Sequence, residues 1–406
     1  MIFTFVLKEY RWWLFLLLLS TIVISDDCYW FANAGINSLI TFKYVYIAIL
    51  PIISFVSLKG TKVGDSINRY VIPCTLLFIL SALVSGSSIV GGPMMLTCTF
   101  LAAIIITSAF EVDDFSVIYI DVVSLIITYS LVIWLGVTLG IFQASYTENT
   151  GGSSVYTFAY CAFYSDHFGF LKRNSAIFRE PGVYMVYIVI SFLMEAFLLK
   201  RKIPIYKLLL YIGGMLSTLS TAGFLILAIA YFVYIYKQRS SFLGCLLPLC
   251  LICVVGYLFS SSEELIGDVF GKFERGEDSA SVLGRISSIL VPLSVILKYP
   301  ILGTGAEAFR DVYMNVSKSI FGFPIDPQGM ATNTILNAGA VYGIWFAIFL
   351  IAGLLRFSQL ASGNIKLEKY IVFILLCLTF SNESMFYSII LYFIIFYGYK
   401  HKSLKI

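Results

Sequence analysis

Charge is what this chain has least of. Only 12% of its 406 residues are Asp, Glu, Lys or Arg, against about 25% in soluble domains. That excludes a soluble globular protein, and no nucleic-acid partner is expected of a chain so poor in the clustered cations that meet phosphate backbones. Histidine occurs only at His167 and His401. The eight cysteines show no metal-ligand spacing, so neither a metal nor another cofactor is expected. Most of them fall in apolar runs, where a thiol behaves as a small hydrophobe; Cys28 and Cys161, assigned to one side, leave a disulfide open. No internal repeat of the transporter kind is visible. The basic and apolar start, Lys8 to Ile24, lacks a small-residue cleavage site, because Ser25-Asp-Asp-Cys28 follows it. It reads as a retained first span.

What is present is apolar sequence: 59% hydrophobic residues and a mean hydropathy of +0.91. A bilayer core about 30 Å thick takes about 20 apolar residues per helix, and about twelve such runs recur from Leu18 to Ile390. Among them are neighbouring runs near Leu209 and Ala228, then runs near Leu251, Ala347 and Leu375. The reading is an all-α polytopic membrane protein with one membrane domain over residues 1–406. Two long outer loops are expected, at 143–179 and 260–329. In the second, Gly284 to Lys298 reads as an amphipathic helix lying at the membrane interface, stopped by the turn Tyr299-Pro-Ile-Leu-Gly-Thr-Gly305.

Basic residues favour cytoplasmic loops. With an even number of spans and both termini cytoplasmic, the short loops holding Lys200-Arg-Lys202, Lys237 and Arg356 obey that rule. Nine cations remain in the long outer loops: Lys172, Arg173, Arg179, Lys272, Arg275, Arg285, Lys298, Arg310 and Lys318. Long loops are translocated largely regardless of charge, so these residues need another explanation, and an anionic ligand supplies one.

The stretch Arg173-Asn-Ser-Ala-Ile-Phe-Arg-Glu-Pro-Gly182 sets two cations and a carboxylate at a helix start. Pro181 suits the first helical position, with Glu180 as the cap. The N-terminus behind it is a natural anion site, and arginine forks match phosphate. Fixed cations there would stabilise a departing pyrophosphate more in the transition state than in the ground state. An acceptor hydroxyl would want a base, and Glu180 is the first candidate. The competing reading is a capping carboxylate paired with a neighbouring arginine. Arg285 and Arg275 offer further cations. Tyr156, Tyr160 and Tyr164, four residues apart, would share a helix face, and Tyr160 and Tyr164 are candidates to stack on saccharide rings. Ser217-Thr-Leu-Ser-Thr-Ala-Gly223 reads as interhelical packing. Asn333 and Asn337 open the tenth span on one face, where they contact a sugar or else cap and bridge helices.

In chain order these motifs are Arg173-Asn174 with Phe178-Arg-Glu-Pro-Gly182, then Ser217 to Gly223. Gly284-Arg285, Pro300-Ile-Leu-Gly-Thr-Gly305 and Thr332-Asn333 leading into Asn337-Ala-Gly-Ala-Val-Tyr-Gly343 complete the set. With them the chain resembles the Wzy-type O-antigen polymerases of the O-antigen ligase and polymerase superfamily. The resemblance implies a GT-C-like, metal-independent glycosyltransferase of a bacterial inner membrane. Its donor would be a glycan on undecaprenyl pyrophosphate, moved onto a lipid-linked repeat unit. Its partners would be that lipid-linked oligosaccharide, membrane lipid, a chain-length regulator and a flippase. The family's arginines fall on Arg173, Arg179 and Arg285. Related ligases place a histidine where this chain has Thr332, which favours a polymerase. The alternatives are an O-antigen ligase, with the same chemistry on a lipid A core, and a lipid-linked oligosaccharide flippase. The flippase would line a cavity inside its spans with charge, and here Lys43, Asp121 and Glu195 are the main charges in the spans.

Overall fold

The computed structural model describes residues 2–32, 37–57, 66–86, 88, 91–150, 153–165, 172–238, 280–327, 330–362 and 365–400. Its helices in chain order are α1 (Ile2–Val23), the single turn α2 (Tyr29–Ala32), α3 (Asn37–Ser57), α4 (Ile72–Ser85), α5 (Gly92–Ala109) and α6 (Val112–Thr138). A small sheet follows, then α7 (Pro181–Leu193), α8 (Ile205–Thr218) and α9 (Thr221–Gln238). The remainder are α10 (Ala280–Lys298), α11 (Phe309–Phe321), α12 (Thr334–Tyr342), α13 (Ile344–Ser362), α14 (Lys366–Ser381) and α15 (Ile389–Lys400). Six helices among the described residues are long and apolar enough to cross a membrane, and shorter apolar helices accompany them. The chain is an all-α polytopic membrane protein. The runs expected near Leu209 and Ala228 are separate helices, α8 and α9, divided only by Leu219 and Ser220. The run near Leu251 and the cation Arg275 lie outside the described residues.

The centre of the bundle is α7. Its sequence is apolar on every side, and a helix without a polar stripe has to be enclosed. A π-helical turn, Met194–Leu198, extends it, and the whole of Pro181–Leu198 is buried. Around it stand α6, α8, α9 and α14. A second group packs α13 on α14 and α15, α15 on α5, and α5 on α3. The helix α10, expected from Gly284 to Lys298, spans Ala280–Lys298 and rests on α11 and α12.

The tenth span is broken where α12 meets α13. Gly343 there has φ +93°, and the turn after α10 has Gly303 at φ +68°. A Cβ on either glycine would strike backbone of the other segment: Gly303 against Val341, and Gly343 against Ile301. Their bareness lets the two chains lie together, and backbone bonds tie them: Thr304 N–H to Ala340 O at 3.0 Å, Gly305 N–H to Val341 O at 2.9 Å and Ile344 N–H to Pro300 O at 2.9 Å.

In the first long loop the shared helix face expected of Tyr156, Tyr160 and Tyr164 does not exist. The segment is a four-stranded antiparallel sheet in the order β1-β2-β3-β4, comprising Ser145–Thr150, Ser153–Phe158, Cys161–Ser165 and Arg173–Asn174. Its Val, Thr, Tyr and Phe residues suit a pleated surface, and that outweighs a four-residue tyrosine spacing. Ala159 and Tyr160 form a two-residue turn with φ +47° and +66°, the geometry that matches hairpin twist. Stacking of Tyr160 on Trp30, at 5.5 Å, and a bond from Trp30 Nε1 to Tyr160 O at 3.1 Å hold this unusual non-glycine turn. Tyr164 is buried and donates its hydroxyl to Arg179 O, so it is not free to stack on a sugar. Cys28 and Cys161 are buried free thiols, and burial pushes each up to about 12.

Candidate functional site

The site forms where α7 begins. Pro181 occupies the first helical position and Glu180 the cap position with extended backbone, but the Glu180 side chain does not cap the helix. Four segments distant in sequence converge here. Arg179 N–H donates to Asp27 O at 2.8 Å, which ties in the loop after α1. Arg173 Nε donates to Thr218 O at 3.2 Å, the end of α8. Asn174, fully buried, donates from Nδ2 to Ser217 Oγ at 3.1 Å and accepts from Ala176 N–H at 2.8 Å. The arginine strand and the hydroxyl run of Ser217 and Thr218 therefore belong to one structure.

The fourth segment is the loop between α14 and α15. Arg179 Nη2 donates to Ser384 O at 2.6 Å, and Thr334 at the start of α12 donates its hydroxyl to Glu383 O while accepting from Met385 N–H at 2.8 Å. This clamp delivers the Glu383 carboxyl onto the first turn of α7, where a Cβ on Gly182 would collide with Glu383 Oε1. The helix N-terminus expected to await an anion is thus already covered by one of the chain's own carboxyls.

Together these residues edge a cleft of about 280 Å³. Its lining comprises Arg179, Glu180, Glu383 and Ser384, then Ala331, Thr332 and Asn337, with Phe309 and Phe386 as aromatic residues. Two enclosed polar atoms of these residues have no protein partner among the described residues, Arg179 Nε and Asn337 Oδ1. One is a donor and the other an acceptor. Asn337 Nδ2 is used on Ala331 O at 2.6 Å. Asn333 does not share in the cleft, since its side chain caps α12 by accepting from Leu336 N–H at 3.0 Å.

The electrostatics follow from this crowding. Burial opposes the charge of Arg179, but Glu180, Asp27 and Glu383 around it more than compensate and raise its value. Asp27 is raised by burial, against Arg179 and the hydroxyls of Ser388 and Tyr187; Tyr187 donates to it at 2.8 Å. Glu383 is pushed well above the carboxylate range, first by burial and then by Glu180 beside it, although Arg179 and Arg173 pull the other way.

Of the residues expected from sequence, Arg173, Arg179 and Glu180 come together, and Asn337 lines the same cleft as Arg179 and Glu180. Arg285 does not join: it is exposed on α10, because Gly284 and Ser287, not Arg285, turn toward the protein. Tyr160 stays at the sheet edge, and Tyr164 and Asn333 are used structurally. Glu383 and Asp27 were missed. The signal for Glu383 was the polar island Ser381-Asn-Glu-Ser384 between two apolar runs, which an even-span topology puts on the same side as Arg179.

Fold and site define a multi-pass α-helical membrane protein with a cleft, lined by one arginine and two carboxyls, at one end of its bundle. Residues 207–351 match the family model Wzy_C, described as O-Antigen ligase. The match runs from α8 into α13. It is consistent with the O-antigen ligase and polymerase superfamily, and it indicates activity of that ligase or polymerase type in glycan transfer. No curated protein and no solved structure matches the chain. Thr218, Thr332 and Asn337 lie within the matched stretch, and Arg173, Arg179, Glu180 and Glu383 lie outside it.

Proposed function

We propose that the chain is an O-antigen polymerase, moving a growing glycan from undecaprenyl pyrophosphate onto the nonreducing end of a lipid-linked repeat unit. The observation that carries this reading is the cleft at the start of α7, where Arg179, with its enclosed and unpartnered Nε, lies beside Glu180. Arg179 and Arg173 would grip the pyrophosphate, whose charge grows as the glycosyl bond breaks, and so favour the transition state over the bound donor. Glu180 would take the proton of the acceptor hydroxyl. That oxygen then bonds to the donor's anomeric carbon, and the pyrophosphate departs with the electrons of the broken bond. Asn337 Oδ1 would accept from a sugar hydroxyl, and Phe309 and Phe386 would offer apolar ring faces. Arg285 would meet lipid-linked phosphate from outside the cleft.

The basic residues at the opposite end support a cytoplasmic location for both termini, and with that orientation the cleft would open at the periplasmic face of an inner membrane. A flippase would supply the repeat units and a chain-length regulator would set when growth stops. Ligation is the second reading, favoured by the description of the matched family; Thr332 in the cleft, where related ligases place a histidine, favours polymerisation. A gel of lipopolysaccharide from the source strain with the gene deleted separates them. Core bearing a single repeat unit is the expected result. Bare core with long polymer retained on the lipid carrier would make the chain a ligase, and repeat units trapped on the cytoplasmic side would make it a flippase.

A further inference from the structure

We infer that Glu383 and Glu180 hold one proton between them, carried on Glu383, and that Glu383 is thereby the positioning residue that keeps Glu180 as the base. The two carboxyls come from segments about 200 residues apart in sequence and meet at the mouth of α7, where Glu383 Oε1 lies against Gly182, both side chains line the same cleft, and the two are in hydrogen-bonding contact. An ionised carboxylate only accepts hydrogen bonds, so two of them cannot bond without a proton. Like charges at that separation cannot both ionise in a poorly solvated site.

The proton falls on Glu383 because its position is imposed. Thr334 and Arg179 clamp its backbone from two sides, and bare Gly182 admits its carboxyl onto the helix. The charged groups that face it are Glu180 of the α7 cap, Arg179 beside that cap and Arg173 of β4; the cleft residues from the α12 side, Thr332 and Asn337, are neutral. Glu180 lines the cleft, where an incoming hydroxyl would reach it. A neutral Glu383 also removes one negative charge from the helix N-terminus that it covers, so an anionic donor meets less repulsion there. The catalytic part of the inference rests on the glycosyl-transfer reading; the shared proton does not.

The experiment has two arms on the full-length chain in lipid nanodiscs. In infrared difference spectra against pH, the carbonyl stretch of a protonated carboxyl is followed in the unsubstituted chain, in Glu383→Gln and in Glu180→Gln, with Asp27→Asn as the control for the other raised carboxyl. The expected result is a neutral-pH acid band that Glu383→Gln removes and that Glu180→Gln shifts to lower pH, since a repelling charge has gone. A band unaltered by Glu383→Gln overturns the inference. The second arm measures chain growth on lipid-linked repeat units extracted from the source strain. The unsubstituted rate should fall on the alkaline side as Glu383 loses its proton. Glu383→Gln, neutral and still a donor, should keep chain growth and lose that alkaline fall, whereas Glu383→Ala should lose about tenfold or more with its charge-assisted bond. A purely structural Glu383 would leave the alkaline fall in place in Glu383→Gln, and that outcome overturns the positioning role. If the unsubstituted chain makes no polymer, the glycosyl-transfer reading fails, while the infrared arm still decides the proton.

Discussion

The two ends of this helix bundle handle charge differently. At the end where α15 finishes, four cations meet carboxylates or helix-end carbonyls. Arg11 pairs with Asp114 at 3.0 Å with both side chains at least half exposed, Lys207 reaches Glu195 at 3.1 Å and Lys237 reaches Glu368. Lys400 donates to the carbonyls of Thr107 and Phe110, each at 2.9 Å. At the loop end, Arg179 spends one nitrogen on a backbone carbonyl and leaves Nε enclosed without a partner among the described residues, while two carboxyls are pressed together beside it. An enclosed polar group without a partner costs about 1–3 kcal/mol. Ion pairs occur at the loop end too, Lys43 with Asp26 and Arg310 with Asp326, but only there, among the described residues, does an arginine keep an enclosed nitrogen without a partner.

The largest expected effect tests that contrast directly. Arg179→Ala leaves Asp27, Glu180 and Glu383 without their central cation, and breaking such a buried set costs about 3–5 kcal/mol. Both polymer and protein abundance should fall, read by lipopolysaccharide gel and immunoblot. Arg179→Lys should recover abundance better than chain growth, because a point charge lacks the guanidinium fork. Next, Glu180→Gln should slow chain growth by about 10²–10⁴-fold at unchanged abundance; an unaffected rate would remove the loop end's claim to chemistry. Gly182→Ala is a finer probe. Its methyl would displace only the far end of a flexible side chain, so chain growth should suffer more than thermal stability, and combining it with Glu383→Ala should add less than the sum of the two.

A fourth expectation concerns pH. Since Glu383 is raised from an ordinary 4.5, folding binds a proton there, and that contribution to stability is full below the unfolded value and is lost as pH rises through the folded one. Thermal melts of Glu383→Gln against pH should show that slope removed. The smallest effect belongs to the opposite end: Arg11→Ala should change stability by about 0.2–1 kcal/mol and leave chain growth intact. A large loss of growth there would erase the difference between the ends.

Much of the helical framework was legible in sequence, because burial in lipid demands long apolar runs and those runs are local. The same holds for Pro181 at a helix start and for the amphipathic α10. Even the cluster of Arg173, Arg179 and Glu180 could be read, since its members lie within one short stretch. The tyrosines misled because a four-residue spacing says helix only when the intervening residues agree, and Val155, Thr157 and Phe163 favour strands. Charge alone grouped Arg285 with the cleft arginines, whereas its place on α10 turns it outward and away from them. Glu383 was illegible as a partner of Glu180 because nothing local in Ser381 to Ser384 states what the loop will touch.

By itself, then, the sequence determined that this chain is an all-α polytopic membrane protein, and that Arg173, Arg179 and Glu180 stand together at a helix start. Those properties follow from transfer energies and charge summed over contiguous residues. Tertiary structure alone decided that Glu383 stands on the bare face of Gly182, that Asn337 and not Asn333 turns a free oxygen to the cleft, and that Gly303 and Gly343 lock a loop into a helix break. Each of these depends on which distant atoms are brought within a few ångströms, and contacts at that range are set by packing between segments rather than by any residue's neighbours in the chain.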